Sequence, residues 1–151
     1  MKKGFSLIEL MIAITIIAVM TTLGISAYSK GSDKQIAKNS GETIVSILTE
    51  NQKQANIGHE DCTGKYLGQQ ISISSGGNTI TAVSLCTISV GEPLVTSIDN
   101  ITFNSSTTMV FNPLSQGVTD ASSITFTGPN GSIYTVRVDS SGTIEYSGVQ
   151  K

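Results

Sequence analysis

Residues 5–25 read FSLIELMIAITIIAVMTTLGI, the longest apolar stretch of the chain. It contains one charged residue, Glu9, and as an α-helix it would be about 32 Å long. That length matches the hydrocarbon core of a bilayer, which is about 30 Å thick. The stretch therefore predicts a membrane-spanning helix, and Lys2 and Lys3 before it indicate a cytoplasmic amino terminus.

Glu9 is unusual in such a helix. A secretory signal peptide would have an apolar core of about 7–15 residues and then a cleavage site with small residues, whereas this run is longer and contains a carboxylate. A plain membrane anchor that tolerates the acid is a second interpretation, but an ionised side chain in the apolar phase is costly. We therefore expect a cation to compensate Glu9.

The order MKKG, FSLIEL and a long apolar run resembles the amino terminus of type IV prepilins and pseudopilins. The shared features are a short basic leader, Gly4 before the expected cut, the aromatic Phe5 after it, and the acid Glu9 four residues later. The resemblance implies that a prepilin peptidase cleaves between Gly4 and Phe5 and methylates the new amino group. It also implies that Phe5 and Glu9 act in assembly. The amino group of Phe5, in the same chain or in a neighbouring subunit, would be the counter-charge of Glu9.

Residues 29–57 continue the helical pattern, with apolar side chains on one face only. The apolar positions recur at helical intervals and the charged ones mostly lie off their stripe. The apolar set is Ile36, Ile44, Ile47, Leu48 and Ala55, and the charged set is Lys34, Lys38, Glu42, Glu50 and Lys53. If the helix runs on from Phe5 to about residue 56, it is about 78 Å long. Residues 31–33 and Gly41 are either interruptions or positions on a continuous helix.

From Gly58 onward, apolar residues recur at every second position, and turn-forming residues lie between the alternating runs. We expect antiparallel strands at 70–74, 79–90, 100–103, 109–111, 123–127, 133–139 and 143–146, with turns at 76–78, 129–131 and 140–142. A sheet built from them would cover the apolar stripe of the helix. Residues 122–146, SSITFTGPNGSIYTVRVDSSGTIEY, also resemble the end of H-type pseudopilins and minor pilins.

The sequence thus predicts an α+β fold. A long amino-terminal helix, its first half transmembrane, would pack on a carboxy-terminal antiparallel β-sheet head, as in pilins. The predicted segments are a prepilin leader (1–4), a transmembrane and polymerisation helix (5–28), the amphipathic second half of the helix (29–57) and a β-rich globular head (58–151).

Cys62 and Cys86 are an even pair in a segment that we expect to be exported, so they predict a disulfide. Metal binding through Cys62 and its neighbours His59, Glu60 and Asp61 is the alternative. A structural zinc site wants four ligands, usually in spaced pairs, and this cluster has a single His and one nearby Cys. Adjacent polar residues more often form a solvated loop, and we predict no metal.

No catalytic signature stands out. The sequence has one His, no paired-His metal motif and no glycine-rich phosphate loop that opens a helix. We therefore predict neither an enzyme nor a cofactor. DNA binding is not expected, because the chain from Gly58 onward has three basic residues against seven acidic ones, and phosphate binding needs clustered Lys and Arg.

The prepilin resemblance implies a structural subunit, a major or minor pilin, of a type IV pilus-like filament. Its partners would be identical or related pilin subunits, the prepilin peptidase and an inner-membrane assembly platform. The precursor would lie in the inner membrane and the mature subunit in an extracellular or periplasmic filament. The alternatives are a pseudopilin of a type II secretion system and a membrane-anchored surface binding module that does not polymerise.

The first testable prediction concerns processing. Intact-mass and amino-terminal analysis of the mature protein should show a chain that begins at N-methylated Phe5. Gly4→Ala should still be cut, whereas a bulky charged residue at position 4 should block cleavage. Mature protein that retains Met1 in a host with the peptidase would contradict the resemblance.

Overall fold

The computed structural model describes residues 7–58 and 62–149, with the backbone alone at residues 22–27. One helix, α1 (Leu7–Ile57), is followed by a β-rich head. The strands of the head are β1 (Tyr66–Ile73), β2 (Thr79–Cys86), β3 (Leu94–Ser97), β4 (Thr102–Phe103), β5 (Thr107–Phe111), β6 (Val118–Thr119), β7 (Ser123–Thr127), β8 (Ile133–Val138) and β9 (Ile144–Val149). The predicted α+β fold is confirmed.

The helix is continuous over its 51 residues. Gly31 and Gly41, which the sequence left open as interruptions, both lie inside it. In the part of the chain that the structure describes, no helix has an apolar stretch long enough to cross a membrane. The assignment of residues 5–28 as a transmembrane and polymerisation helix stays a prediction, and its first two residues, Phe5 and Ser6, lie outside the described residues.

The strands form two antiparallel sheets rather than one. The first has the order β3-β2-β1-β5-β6 and the second the order β4-β7-β8-β9. Tight hairpins join β1 to β2, β7 to β8 and β8 to β9, at the three turns that the sequence predicts. Each turn contains a glycine with positive φ, a conformation that costs glycine little: Gly76, Gly131 and Gly142.

Two short strands were missing from the sequence prediction. The run 79–90, predicted as one strand, ends at Cys86, and Leu94–Ser97 follows as the separate strand β3. Pro93 lies between them and has no N–H to offer a sheet. β6 has two residues, too few to show an alternating pattern.

The core lies between the second half of α1 and the two sheets. The helix contributes a stripe of fully buried side chains, Ala37, Ile44, Leu48 and Ala55. The head contributes large side chains that are also buried, including Phe103, Phe111, Phe126 and Tyr134. Three of the five predicted stripe residues, Ile44, Leu48 and Ala55, are fully buried. Ile36 and Ile47 are half-buried, and Ala37, which was not in the predicted set, is buried. All five charged residues predicted to lie off the stripe are exposed.

Small residues let the sheets approach the helix closely. A Cβ atom on Gly41 would overlap the ring of Tyr146 in β9, and a Cβ atom on Gly128 would lie 2.7 Å from the Cβ atom of Ala37. The Tyr146 ring also stacks on Tyr134, with centroids 6.4 Å apart, so it has little freedom to move away. Gly41 is therefore a packing position and not a break in the helix.

Hydrogen bonds hold the β8–β9 hairpin against α1. The Asp139 carboxylate accepts hydrogen bonds from the Ser141 hydroxyl, at 2.6 Å, and from the backbone N–H groups of Thr143 and Ser141. These bonds, led by the one from the Ser141 side chain, hold the pKa of Asp139 below its usual value. The side chain of Gln52 in α1 donates to the carbonyl of Gly142 at 2.9 Å. The hairpin is thus fixed both within itself and to the helix.

Two alanine substitutions test this packing. Gly31 has open space around it, so Gly31→Ala should stabilise the fold by up to about 1 kcal/mol through helix propensity. Gly41→Ala should instead destabilise it by about 1–3 kcal/mol, since the new methyl group forces Tyr146 out of place. Chemical denaturation of both variants, followed by circular dichroism in detergent, measures the difference. Equal stabilisation by the two substitutions would refute the packing role of Gly41.

Candidate functional site

Residues 7–21 of α1 are the part of the chain least explained by the fold. Every described side chain in this segment is exposed. The large apolar ones are Leu7, Ile8, Leu10, Met11, Ile12, Ile14, Ile16, Ile17, Val19 and Met20, with exposed fractions from 52% at Ile16 to 77% at Leu7. A helix that is apolar all round is normally buried by other elements, and an exposed apolar surface of this extent marks an interaction site.

The polar groups of this segment are suited to apolar surroundings. The Thr15 hydroxyl donates to the carbonyl of Ile12 at 2.8 Å, and the Thr21 hydroxyl donates to the carbonyl of Ile17 at 2.7 Å. Because these hydroxyls are satisfied inside the helix, burial of the segment leaves neither of them without a partner.

Glu9 is the exception. It lies in the first turn of α1 and is exposed, where the helix dipole favours a negative charge. Among the described residues the one ion pair is the exposed Lys38–Glu42 contact at 3.6 Å, so that part of the chain offers Glu9 no counter-charge. Gly4 and Phe5, the predicted processing and assembly residues, lie outside the described residues. Their roles and that of Glu9 stay predictions.

Cys62 and Cys86 are bonded to each other, with their Cα atoms 5.7 Å apart. The predicted disulfide is present and ties the segment after α1 to the end of β2. A bonded Cys62 has no thiolate to give to a metal. The other residues of the alternative metal cluster, 59–61, lie outside the described part of the chain. Within the described part, no three potential ligands group together.

A buried polar chain joins the helix to the first sheet, and sequence reasoning missed it. The Ser84 hydroxyl donates to Gln69 at 2.9 Å, Gln69 donates to Asn51 at 3.2 Å, and Asn51 donates to the carbonyl of Ile47 at 2.8 Å. All three side chains are buried. Buried amides need such partners, so this chain fixes the position of β1 and β2 on α1. The inward register of Gln69 with Ile71 and Ile73 was the available signal.

With this geometry in place, the comparison with known families identifies the amino terminus. Residues 1–25 match the family described as the prokaryotic N-terminal methylation motif. The chain carries the class III signal peptide of type IV prepilins and pseudopilins. Searches of curated proteins and of solved structures found no match.

The prepilin signal confirms the resemblance seen in the sequence. It contains Gly4, Phe5 and Glu9 and includes the apolar segment that the head leaves uncovered. It supports a precursor of the type IV pilin or pseudopilin kind.

The disulfide gives a test at the level of the exported protein. Alkylation under non-reducing conditions should find both Cys62 and Cys86 blocked, with a mass about 2 Da below that of the reduced form, because the bond replaces two thiol hydrogens. Reduction before alkylation should add two labels and serves as the control. Two freely alkylated thiols in unreduced exported protein would contradict the bond.

Proposed function

We propose that the mature chain is a structural subunit, a major or minor pilin, of a type IV pilus-like filament, and that it assembles through residues 5–28. The observation that carries the proposal is the uncovered apolar surface of residues 7–21 inside a prepilin signal. The head has its own core, and residues 37–55 of α1 complete it. The exposed segment adds nothing to that core, so its apolar side chains serve contacts outside the subunit.

Glu9 favours a polymer over a plain anchor. In a single membrane helix the helix dipole offsets only part of the cost of burying a carboxylate that has no counter-charge. Cleavage before Phe5 would create a positively charged amino group one helical turn from Glu9. In a stack of subunits that amino group would also lie within reach of the Glu9 of a neighbour, and a charge-assisted hydrogen bond between them would set the register.

The partners follow from the same motif. A prepilin peptidase would process the chain, and an inner-membrane platform would pass it from the membrane into the filament. Before assembly the apolar helix would lie in the inner membrane with its amino terminus in the cytoplasm. After assembly, identical or related subunits would cover the helix in an extracellular or periplasmic filament. The methylation motif is shared by the pseudopilins of type II secretion systems, so the same reasoning applies to a pseudopilin.

Glu9→Val tests the proposal directly. The substitution removes a costly group from the apolar phase, so the precursor should still reach the membrane and be cut. Fibre yield should nevertheless fall about tenfold or more, as expected for the loss of a hydrogen bond to a charged group at each contact. Immunoblots of membrane and sheared-fibre fractions measure the two steps separately.

Thr15→Val is the matched control, because it replaces a polar side chain in the same exposed segment without a change of charge. It should leave fibre yield unchanged. Normal fibres at normal abundance from Glu9→Val would overturn the proposed pairing.

A further inference from the structure

The two sides of α1 differ in chemistry along the head. Ile36 and Lys38 lie about 100° to either side of the fully buried Ala37, as the helical period requires. Ile36 lines a groove toward the segment after β3, and Lys38 lines a groove toward β9. Both β3 and β9 are edge strands of their sheets. Each side of the helix therefore ends in a strand edge that the described chain leaves unpaired.

The first side, which we call the β3 flank, is apolar and acidic. Leu94 and Val95 of β3 have exposed fractions of 60% and 57%. Glu50 of α1 and Leu94 line one groove, and Asp99 lines the next one along the helix. Glu50 and Asp99 are both exposed, and among the described residues neither has an ion-pair partner.

The other side, which we call the β9 flank, is apolar and basic. A groove of about 510 Å³ lies between α1 and β9, and Lys34, Lys38, Tyr146 and Val149 are among the residues that line it. Both lysines and Val149 are exposed. Lys38 shares the exposed ion pair with Glu42, a contact of little net strength. Lys34 has no ion pair within the described chain.

We propose that the β3 flank of one subunit docks on the β9 flank of the next. Acids and lysines on the two flanks are complementary, which favours this orientation over contact between like flanks. Docking would also cover two exposed strand edges, which folded proteins rarely leave open. Since the two flanks are different surfaces on opposite sides of the helix, the contact is heterologous and repeats from copy to copy, as a helical filament requires.

This inference rests on the proposed filament and adds a contact that the apolar helix does not provide. Crosslinking tests the geometry. In fibres of the full chain, Leu94→Cys combined with Val149→Cys should give a ladder of covalent oligomers with a short thiol crosslinker. The native cysteines are bonded to each other, so only the introduced thiols react.

Leu114→Cys combined with Val149→Cys is the matched control. Leu114 is exposed but lies on neither flank, so this pair should give no ladder. Intact fibres in which the Leu94 and Val149 pair fails to crosslink, or in which both pairs crosslink equally, would overturn the docking.

Charge reversal tests the complementarity. Lys34→Glu with Lys38→Glu should lower fibre yield about three- to tenfold, the range expected for the loss of weak surface ion pairs at each contact. Adding Glu50→Lys and Asp99→Lys should restore the yield. Lys65→Glu, compared with Lys34→Glu alone, makes the same change in net charge away from the two flanks and should have no effect.

A quadruple variant that assembles no better than the lysine double variant would refute the complementarity.

The experiments distinguish a failure of the filament proposal from a failure of the flank docking. If Glu9→Val abolishes fibres while the flank variants behave as wild type, the filament proposal stands and the flank docking fails. If the wild-type chain forms no fibres, the filament proposal fails and the flank docking fails with it.

Discussion

Close contact between the second half of α1 and the two sheets is the constraint on which the rest of the structure depends. Ala37 and Gly41 are small enough for the β7–β8 turn and β9 to pack closely on the helix, and Ile44 and Leu48 are fully buried further along it. The buried amide of Gln69 then fixes the first sheet to the same helix. Because both sheets pack on this one helix, the helix and the head form a single packed unit.

That constraint leaves the first half of α1 outside the domain. The helix is continuous, so the packing of residues 37–55 also fixes the direction in which residues 7–21 project. The same element is thus a core element at one end and an uncovered apolar rod at the other. We propose that a membrane covers this rod first and that other subunits cover it later, a proposal that the prepilin signal supports. In that account Glu9 is the one polar group of the rod that needs a partner from beyond the described residues.

Much of this arrangement could be predicted from the sequence because local chemistry is strong there. The helical period of Ile44, Leu48 and Ala55 predicts the buried stripe, and glycines at the three turns predict the hairpins. The rest depends on tertiary context. β3 is exposed and β6 has two residues, so neither has an alternating signature. The packing role of Gly41 depends on Tyr146, about a hundred residues later, and the division into two sheets depends on pairings that no local pattern encodes.

The candidate site also has features that the local sequence predicts and features that depend on tertiary context. The prepilin motif was visible because a peptidase recognises a short stretch of sequence. The disulfide was visible because an exported chain with two cysteines has one possible pairing within the chain. The difference between the β3 and β9 flanks was not visible. Glu50 and Leu94, or Lys34 and Val149, line a common groove only when the sheets have folded on the helix.

In the proposed filament, residues 7–21 are covered by other copies of the same segment. A helical reconstruction of purified fibres by electron cryo-microscopy measures this most directly. We expect a core in which these helices pack on one another, with the amino group of Phe5 beside a Glu9 carboxylate and the heads outside. Fibres whose core lacks this segment, or a mature chain found only as single copies in the membrane, would contradict it.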